Sequence, residues 1–240
     1  MIKAINLHLE AWKWTLNSIS KGKFLVYFIP GLIASLFFAS LYTLTREIET
    51  ALGFVKYVPL IGEYIYSAVS GTFGLIYFIF LQIYMFTVLT LLSPFNTLLS
   101  EAVDTEITSR TYSFSIAQVI KDFLRMIFIV FLALVMEFFF MIAWWIISWI
   151  FGLGILDSLM YFLISAFFFG FAFYDYSLER SKKGVIDSLG FSFSKLPVMI
   201  LSGTGFLLIY YIPFVGVMLA PVLTTIVSSY IYTTQYSEQQ

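Results

Sequence analysis

Apolar residues along this chain come in long, almost unbroken runs, interrupted by short polar stretches at intervals of a helix length. Uncharged runs cover Phe24–Leu44, Gly71–Leu92, Met126–Phe151 apart from Glu137, and Ser158–Tyr174. A last run, Leu196–Ser237, is divided by Pro213 into Val198–Ile212 and Phe214–Tyr232. Crossing a hydrocarbon core takes about 20 residues of helix, so the pattern predicts six hydrophobic helical segments, near 24–44, 71–92, 126–151, 158–174, 198–212 and 214–232. The expected fold class is all-α: a polytopic helical membrane protein with residues 1–240 as a single membrane domain. Val198–Ile212 reaches only roughly 22 Å at 1.5 Å per residue. The turns "FGLGIL" and "YIPFVG" are themselves apolar. Partially inserted hairpins, covered by protein or lining a wet cavity, therefore fit as well as full spans.

Two stretches have the period of surface helices. In residues 1–20, Ile2, Ile5, Leu9, Trp12, Leu16 and Ile19 alternate at spacings of three and four, with Lys3, Asn6, Glu10, Lys13 and Asn17 off that stripe. This predicts an amphipathic helix lying along the membrane boundary, with packing against other protein as the alternative. In "SIAQVIKDFLRMI", Ser115 followed by Gln118 is a capping-box pattern, and Ile116, Val119, Ile120, Phe123 and Leu124 share a face. That helix should run along the interface into the third segment.

Composition agrees with the pattern: 60% of residues are hydrophobic, 20% aromatic and 11% charged, against about 25% charged in an ordinary soluble domain. The formal net charge of −1 gives no argument for nucleic acid as a partner. No cysteine is present, and one histidine, His8, is too few for a His-based metal site. No cofactor, metal or enzymatic activity is expected. Polar residues interrupt the N-terminal stretch, which does not read as a cleavable signal.

The basic residues give an orientation. Lys3, Lys13, Lys21, Lys23, Arg110, Lys121, Arg125, Arg180, Lys182, Lys183 and Lys195 fall in connections on one side of a six-segment arrangement, and only Arg46 and Lys56 on the other. The positive-inside bias makes the first side, with both termini, cytoplasmic.

Few residues could carry chemistry. Glu137, in "LALVMEFFFM", sits mid-segment, where a charge costs at least about 2.5–3.5 kcal/mol. It is either a coupling or pore-lining carboxylate, or a carboxyl held by hydrogen bonds between helices. Asp175 ends the fourth segment and could anchor that helix end, pair with Arg180 or Lys183, or touch a solute, anchoring being the simplest; Asp157 most simply caps the helix it starts. Lys21-Gly22-Lys23 could concentrate an anion at a membrane mouth or serve as positive-inside anchors. The small residues of "SGTG" at 202–205 suit close helix packing. Glu101, Asp104 and Glu106 suggest a solvated face, and no nucleophile–base–orienter set can be assembled.

In "LLSPFNTLLSEAVD", Ser93-Pro94 should break the second segment and relaunch a helix, with Ser93 capping, Asn96 in the new turn, and Glu101 and Asp104 reaching water. This stretch resembles the "A-P-F-N-x-L-L-x-E-x-V" signature of the CysZ and etoposide-induced-protein family of membrane proteins. "YDYSLERSKKGVIDSLGFSFSK", "YYIPFVGVMLAPVLTTIVSSYIYT" and "FLVYFIPGLIASLFF" are similar to further blocks of that family, in the same order. Pro94, Phe95, Asn96 and Glu101 match the signature, and Asp175 and Tyr176 match the second motif, with Ser177 in place of its proline. The resemblance implies a homo-oligomer in the bacterial inner membrane acting as a channel or permease for sulfate or sulfite, without an ATPase. Phe24 and Leu25 stand where the family's anion-binding arginines would be, leaving Lys21, Gly22, Lys23 and Asn96 as anion-binding candidates. The competing classes are a non-transporting membrane scaffold, as in the family's eukaryotic branch, and an intramembrane enzyme built around Glu137 or Asp175.

Overall fold

The computed structural model describes residues 1–37, 62–213 and 215–237, with side chains in the middle stretch described from Gln82 onward. No strand occurs among the described residues. The helices are α1 (Ile2–Ser20), α2 (Leu25–Phe37), α3 (Gly62–Thr108), α4 (Ile116–Phe151), α5 (Asp157–Arg180), α6 (Val185–Ser194), α7 (Leu196–Tyr210) and α8 (Gly216–Gln235). Four are long and apolar enough to cross a membrane, and up to six spans result if the bent pairs α1–α2 (98°) and α6–α7 (94°) each count as one. The all-α polytopic expectation holds. The far end of the first segment, with Arg46 and Lys56, lies outside the described residues, as does Phe214.

Apolar residues face outward and many polar ones inward, as expected of a chain whose surroundings are lipid. On α4, Phe131, Phe139, Trp149 and Phe151 are exposed while Asp122, Glu137 and Ser148 are buried. α1 follows the same inversion: Ile2, Ile5, Leu9 and Leu16 are exposed, and Ala4, His8, Ala11, Thr15 and Ser18 pack inward, chiefly on α8 and α7. Most of the stripe read from the sequence turns away from the protein, while its Trp12 and Ile19 are partly buried against it. α1 ends in a Schellman turn, with the Gly22 N–H on the Ile19 carbonyl (2.9 Å) and the Lys23 N–H on the Ser18 carbonyl (3.1 Å). Gly22 supplies the positive φ of 81° this needs.

Three expectations are corrected. Pro94 does not break the second segment, because α3 runs uninterrupted through it to Thr108. A proline inside a membrane helix is tolerated where neighbouring helices hold both sides of it, and α8, α4 and α5 all pack on α3. Ser93 caps nothing; its hydroxyl is buried with no partner among the described residues. Asp157 does not cap α5. The chain reverses at Gly152–Leu156 and carries its carboxylate back onto α4, where Oδ1 accepts from Trp144 Nε1 (2.9 Å) and Ser148 Oγ (2.6 Å).

The Ser115 cap is present, accepting from the Gln118 N–H at 3.5 Å. Gln118's side chain does not close the box; it donates to Asp122 (2.5 Å) and Glu179 (3.3 Å) instead. α4 then continues as one helix to Phe151.

Candidate functional site

Three helices share one direction. Ser100 and Asp104 of α3 lie beside Ser177 and Arg180 of α5 and beside Ser229 and Thr233 of α8, rank for rank. On α3 the inward polar positions are Ser93, Asn96, Ser100 and Asp104, at spacings of three and four that put them on one face. α8 matches them with Thr225, Ser229 and Thr233, and α5 with Tyr176, Ser177 and Arg180. These side chains form a polar seam down the middle of an otherwise apolar bundle.

Within the seam, one serine from each helix meets at a common point: Ser229 Oγ donates to Ser100 Oγ (2.9 Å), and Ser177 Oγ lies 3.3 Å from Ser100 and 3.4 Å from Ser229. Arg180 crosses just beyond them. Its Nη1 donates to the Ser100 carbonyl (2.5 Å) and hydroxyl (2.6 Å), and its Nη2 to Thr233 Oγ1 (3.1 Å) and Asp104 Oδ1 (3.3 Å). Asp104 is 0% exposed, not water-facing. Its carboxylate also accepts from Thr233 (2.8 Å), Thr108 (3.2 Å) and Tyr112 (2.6 Å). Glu101, also expected in water, is half-buried. Deeper in, Asn96 Nδ2 donates to the Tyr176 hydroxyl at 3.3 Å, so two of the sequence-marked positions touch. Ser93, Thr224 and Thr225 hydroxyls are buried there with no partner among the described residues.

Beyond Asn96 the interior turns aromatic. Phe86 stacks on Phe169 with centroids 4.5 Å apart, and Phe206 lies against Phe169 (4.9 Å) and Phe173 (5.0 Å). Past that layer sits Glu137, 0% exposed, with Oε1 accepting from Ser165 Oγ (2.5 Å) and from Gln82 Nε2, and with Oε2 unpartnered. Gln82 is fourteen residues before Asn96 on α3, roughly 21 Å at 1.5 Å per residue. Glu137 thus lies well apart from the arginine end and is held by α3 and α5, the interhelical arrangement left open above.

Asp175 pairs with neither Arg180 nor Lys183. Arg125 of α4 takes it in a two-pronged contact, Nη2 to Oδ1 at 2.8 Å and Nε to Oδ2 at 3.1 Å. The same guanidinium reaches the Lys183 carbonyl (2.7 Å) and Ser188 Oγ (3.1 Å). It anchors α4, α5 and α6 together. Phe95 is 43% exposed on the outer side of α3. Lys21 is exposed at the end of α1, and Lys23 is ion-paired with Glu106 on the surface. Glu106 is ten residues beyond Asn96 on α3, about 15 Å along the axis, so the lysines and Asn96 do not share one site.

No model of a known family and no curated protein matches this chain. The geometry must therefore carry the functional argument.

The structure also assembles a pair the sequence did not suggest. His8 is 6% exposed and not on the surface; its Nδ1 lies 2.8 Å from the Ala4 carbonyl and its Nε2 2.8 Å from Ser202 Oγ. A carbonyl only accepts, so Nδ1 carries the proton and Nε2 accepts from the serine. Burial lowers the pKa of His8, in keeping with this neutral form. The third member is a backbone carbonyl rather than a carboxylate, and the pair ties α1 to α7. Among the described residues, no group of His, Cys, Asp and Glu could hold a metal.

Next to Arg180, in the connection after α3, the Tyr112 phenol is pushed up to about 12, first by burial and then by its bond to Asp104. A phenol whose pKa is raised on folding contributes stability that is present below pH 10 and lost as pH climbs through about 12. Tyr112→Phe should destabilise detergent-purified protein at pH 8 by the worth of one bond to a charged acceptor, about 1.5 kcal/mol, read as a lower melting temperature. The gap from wild type should narrow between pH 10 and 12. No gap at pH 8 would mean Tyr112 contributes by packing alone, and a gap that does not change over that range would mean its phenol does not titrate there.

Proposed function

We propose that this chain is a multi-pass permease or channel for a small inorganic anion, with sulfate as the first candidate. The carrying observation is the polar seam, where hydroxyls and the Arg180 guanidinium face one another inside apolar helices. Buried hydroxyls left without a partner, such as Ser93 and Thr225, each cost about 1–3 kcal/mol. A stripe of them is costly unless it serves a polar guest. Hydroxyl and guanidinium N–H and O–H groups suit an anion, replacing water as donors.

The resemblance of "SPFNTLLSEAVD" to the CysZ signature supports sulfate in particular, and two of the family-matching positions, Asn96 and Tyr176, are hydrogen-bonded to each other along the seam. In this reading the ends of α3, α5 and α8 face the cytoplasm of a bacterial inner membrane, as do both termini, because the basic connections lie on that side. Lys21 and Lys23 are cationic groups near the same boundary that raise local anion concentration. The Phe86–Phe169 layer is the closed point of the path, a dry constriction that must part for conduction.

That same layer favours a second reading, a membrane scaffold that conducts nothing. Labelled sulfate uptake into proteoliposomes separates them, with sulfite, phosphate and chloride as competitors. Permeation requires entry above protein-free vesicles, slowed by Arg180→Lys and, less so, by Lys21→Gln with Lys23→Gln. Entry equal to protein-free vesicles for every anion leaves the scaffold reading.

A further inference from the structure

We propose that a cleft at the ends of α3, α5 and α8 is a binding site for a phosphate-type oxyanion, with Arg110 as its principal ligand. The cleft has a volume of about 280 Å³ and is lined by Asp104, Arg110, Tyr112, Arg180, Ser181 and Ser237. That is close to the smallest ligand pockets, about 300 Å³, and far more than the ~30 Å³ share of one water. It admits a tetrahedral group together with part of whatever carries it.

Counting donors and acceptors fixes the sign of the guest. Both oxygens of Asp104 are already occupied, by Thr233 and Arg180 on one and by Tyr112 and Thr108 on the other. Ser237 Oγ donates to the Thr233 carbonyl at 2.5 Å. Arg180 spends both Nη groups on Ser100, Asp104 and Thr233, which leaves its Nε–H. The Arg110 guanidinium and the Ser181 hydroxyl have no hydrogen-bond partner among the described residues; the Arg110 backbone N–H is engaged with Thr108, and its guanidinium acts on Asp104 only through charge. The wall therefore offers unspent donors and no unspent carboxylate. Asp104 cancels one of the two guanidinium charges, and Arg110 carries the surplus.

Three helices end here, and their carbonyl ends would draw cations. Several of those carbonyls have other partners. The Ser109 N–H takes the Thr105 carbonyl (2.9 Å), Lys182 and Lys183 take Glu179 (2.7 Å) and Leu178 (3.0 Å), and Ser237 takes Tyr232 (3.1 Å). Arg110 is not needed to cap them.

The surroundings set where the oxyanion comes from. Phe114 and Ile116, four and six residues after Arg110, are 70% and 68% exposed, which suits a segment at the lipid boundary. A phosphate there belongs either to an anionic lipid headgroup or to free phosphate. The site shares Arg180 with the seam but does not depend on any flux through it.

The test uses the full chain and Arg110→Gln, whose exposed side chain leaves the fold intact, checked by an unchanged melting temperature. One arm titrates inorganic phosphate into detergent-purified protein by calorimetry. The other measures, by native mass spectrometry, retention of phosphatidylglycerol against phosphatidylcholine from mixed nanodiscs. Arg110→Gln should weaken binding by at least about tenfold, the loss of one charge-assisted contact, in whichever arm wild type binds. Phosphate binding assigns a soluble ligand, and phosphatidylglycerol retention alone assigns the lipid. Wild type binding neither, or Arg110→Gln binding as well as wild type, overturns the site. Sulfate flux with neither phosphate nor phosphatidylglycerol bound would sink this proposal and leave permeation standing, and binding in either arm without sulfate flux would do the reverse.

Discussion

Asp104→Ala is expected to destabilise the protein by roughly 3–5 kcal/mol, the cost of leaving a buried charge without its partner. In the folded protein the Arg180 and Asp104 side chains are 7% and 1% exposed, so the guanidinium depends on the carboxylate for most of its charge compensation. Four donors converge on those two oxygens. Not all of them are orphaned, because Thr108 Oγ1 already shares its bond with the Asp104 carbonyl at 2.9 Å. The guanidinium carries most of the penalty. For a domain of this size such a loss lowers the melting temperature by roughly 10 °C, readable by fluorescence-detected size exclusion after heating. Asp104→Asn keeps an acceptor for Thr233 or Tyr112 and should cost clearly less. Asp104→Leu combined with Arg180→Met should recover much of the loss, because a desolvated pair roughly breaks even against apolar residues of similar volume. If Asp104→Ala costs less than about 1 kcal/mol, the range of an exposed ion pair, the seam is open to water. Recovery in the double variant with loss of sulfate flux would mark the pair as present for function and not for stability.

How much of this was legible in the sequence depends on the distance over which each feature acts. Local features were readable. The apolar runs became helices, Ser115 caps α4, and the small residues of "SGTG" do pack tightly. Features that depend on which helix lies alongside were not. For Asp175 the sequence offers the nearest basic residues along the chain, whereas its partner Arg125 is fifty residues away on a helix running the other way. The break expected at Pro94 followed from the helix in isolation, and packing on both sides of α3 overrides it. Asp104 reads as a solvated residue in the sequence because Glu101 and Glu106 are close to it. One available signal would have found the seam. In a lipid-facing helix the polar stripe is the inward one, and Ser93, Asn96, Ser100 and Asp104 on α3 and Thr225, Ser229 and Thr233 on α8 keep helical spacing. The same inversion explains α1, whose isoleucine and leucine stripe was legible and whose packed side is the small, polar one carrying His8.

Gly203→Val is expected to cost 3 kcal/mol or more, beyond the ~1–3 kcal/mol typical of overpacking, because what it meets cannot move aside. A Cβ at Gly203 would lie 1.7 Å from the Ala166 carbonyl oxygen, and one at Gly170 would lie 2.1 Å from that of Met199. Each glycine of this antiparallel α5–α7 crossing faces the backbone of the other helix, so no rotamer change relieves the overlap. Ordinary contact begins near 3.4 Å, and the helices would have to separate by more than an ångström. That separation would pull Phe206 off Phe169 and Phe173 and shift Ser202 from His8. The aromatic layer above the seam and the tether of α1 would both loosen. Gly203→Ala should already show most of the effect, since the first carbon makes the clash. Gly190→Ala is the internal control: it lies exposed in α6, with nothing within 4 Å of the added carbon. There the better helix propensity of alanine, worth up to about 1 kcal/mol, should leave stability unchanged or raised. Thermal melting of the three variants side by side tests close packing directly. A tolerated Gly203→Val would mean that α5 and α7 do not approach as closely as their glycines allow.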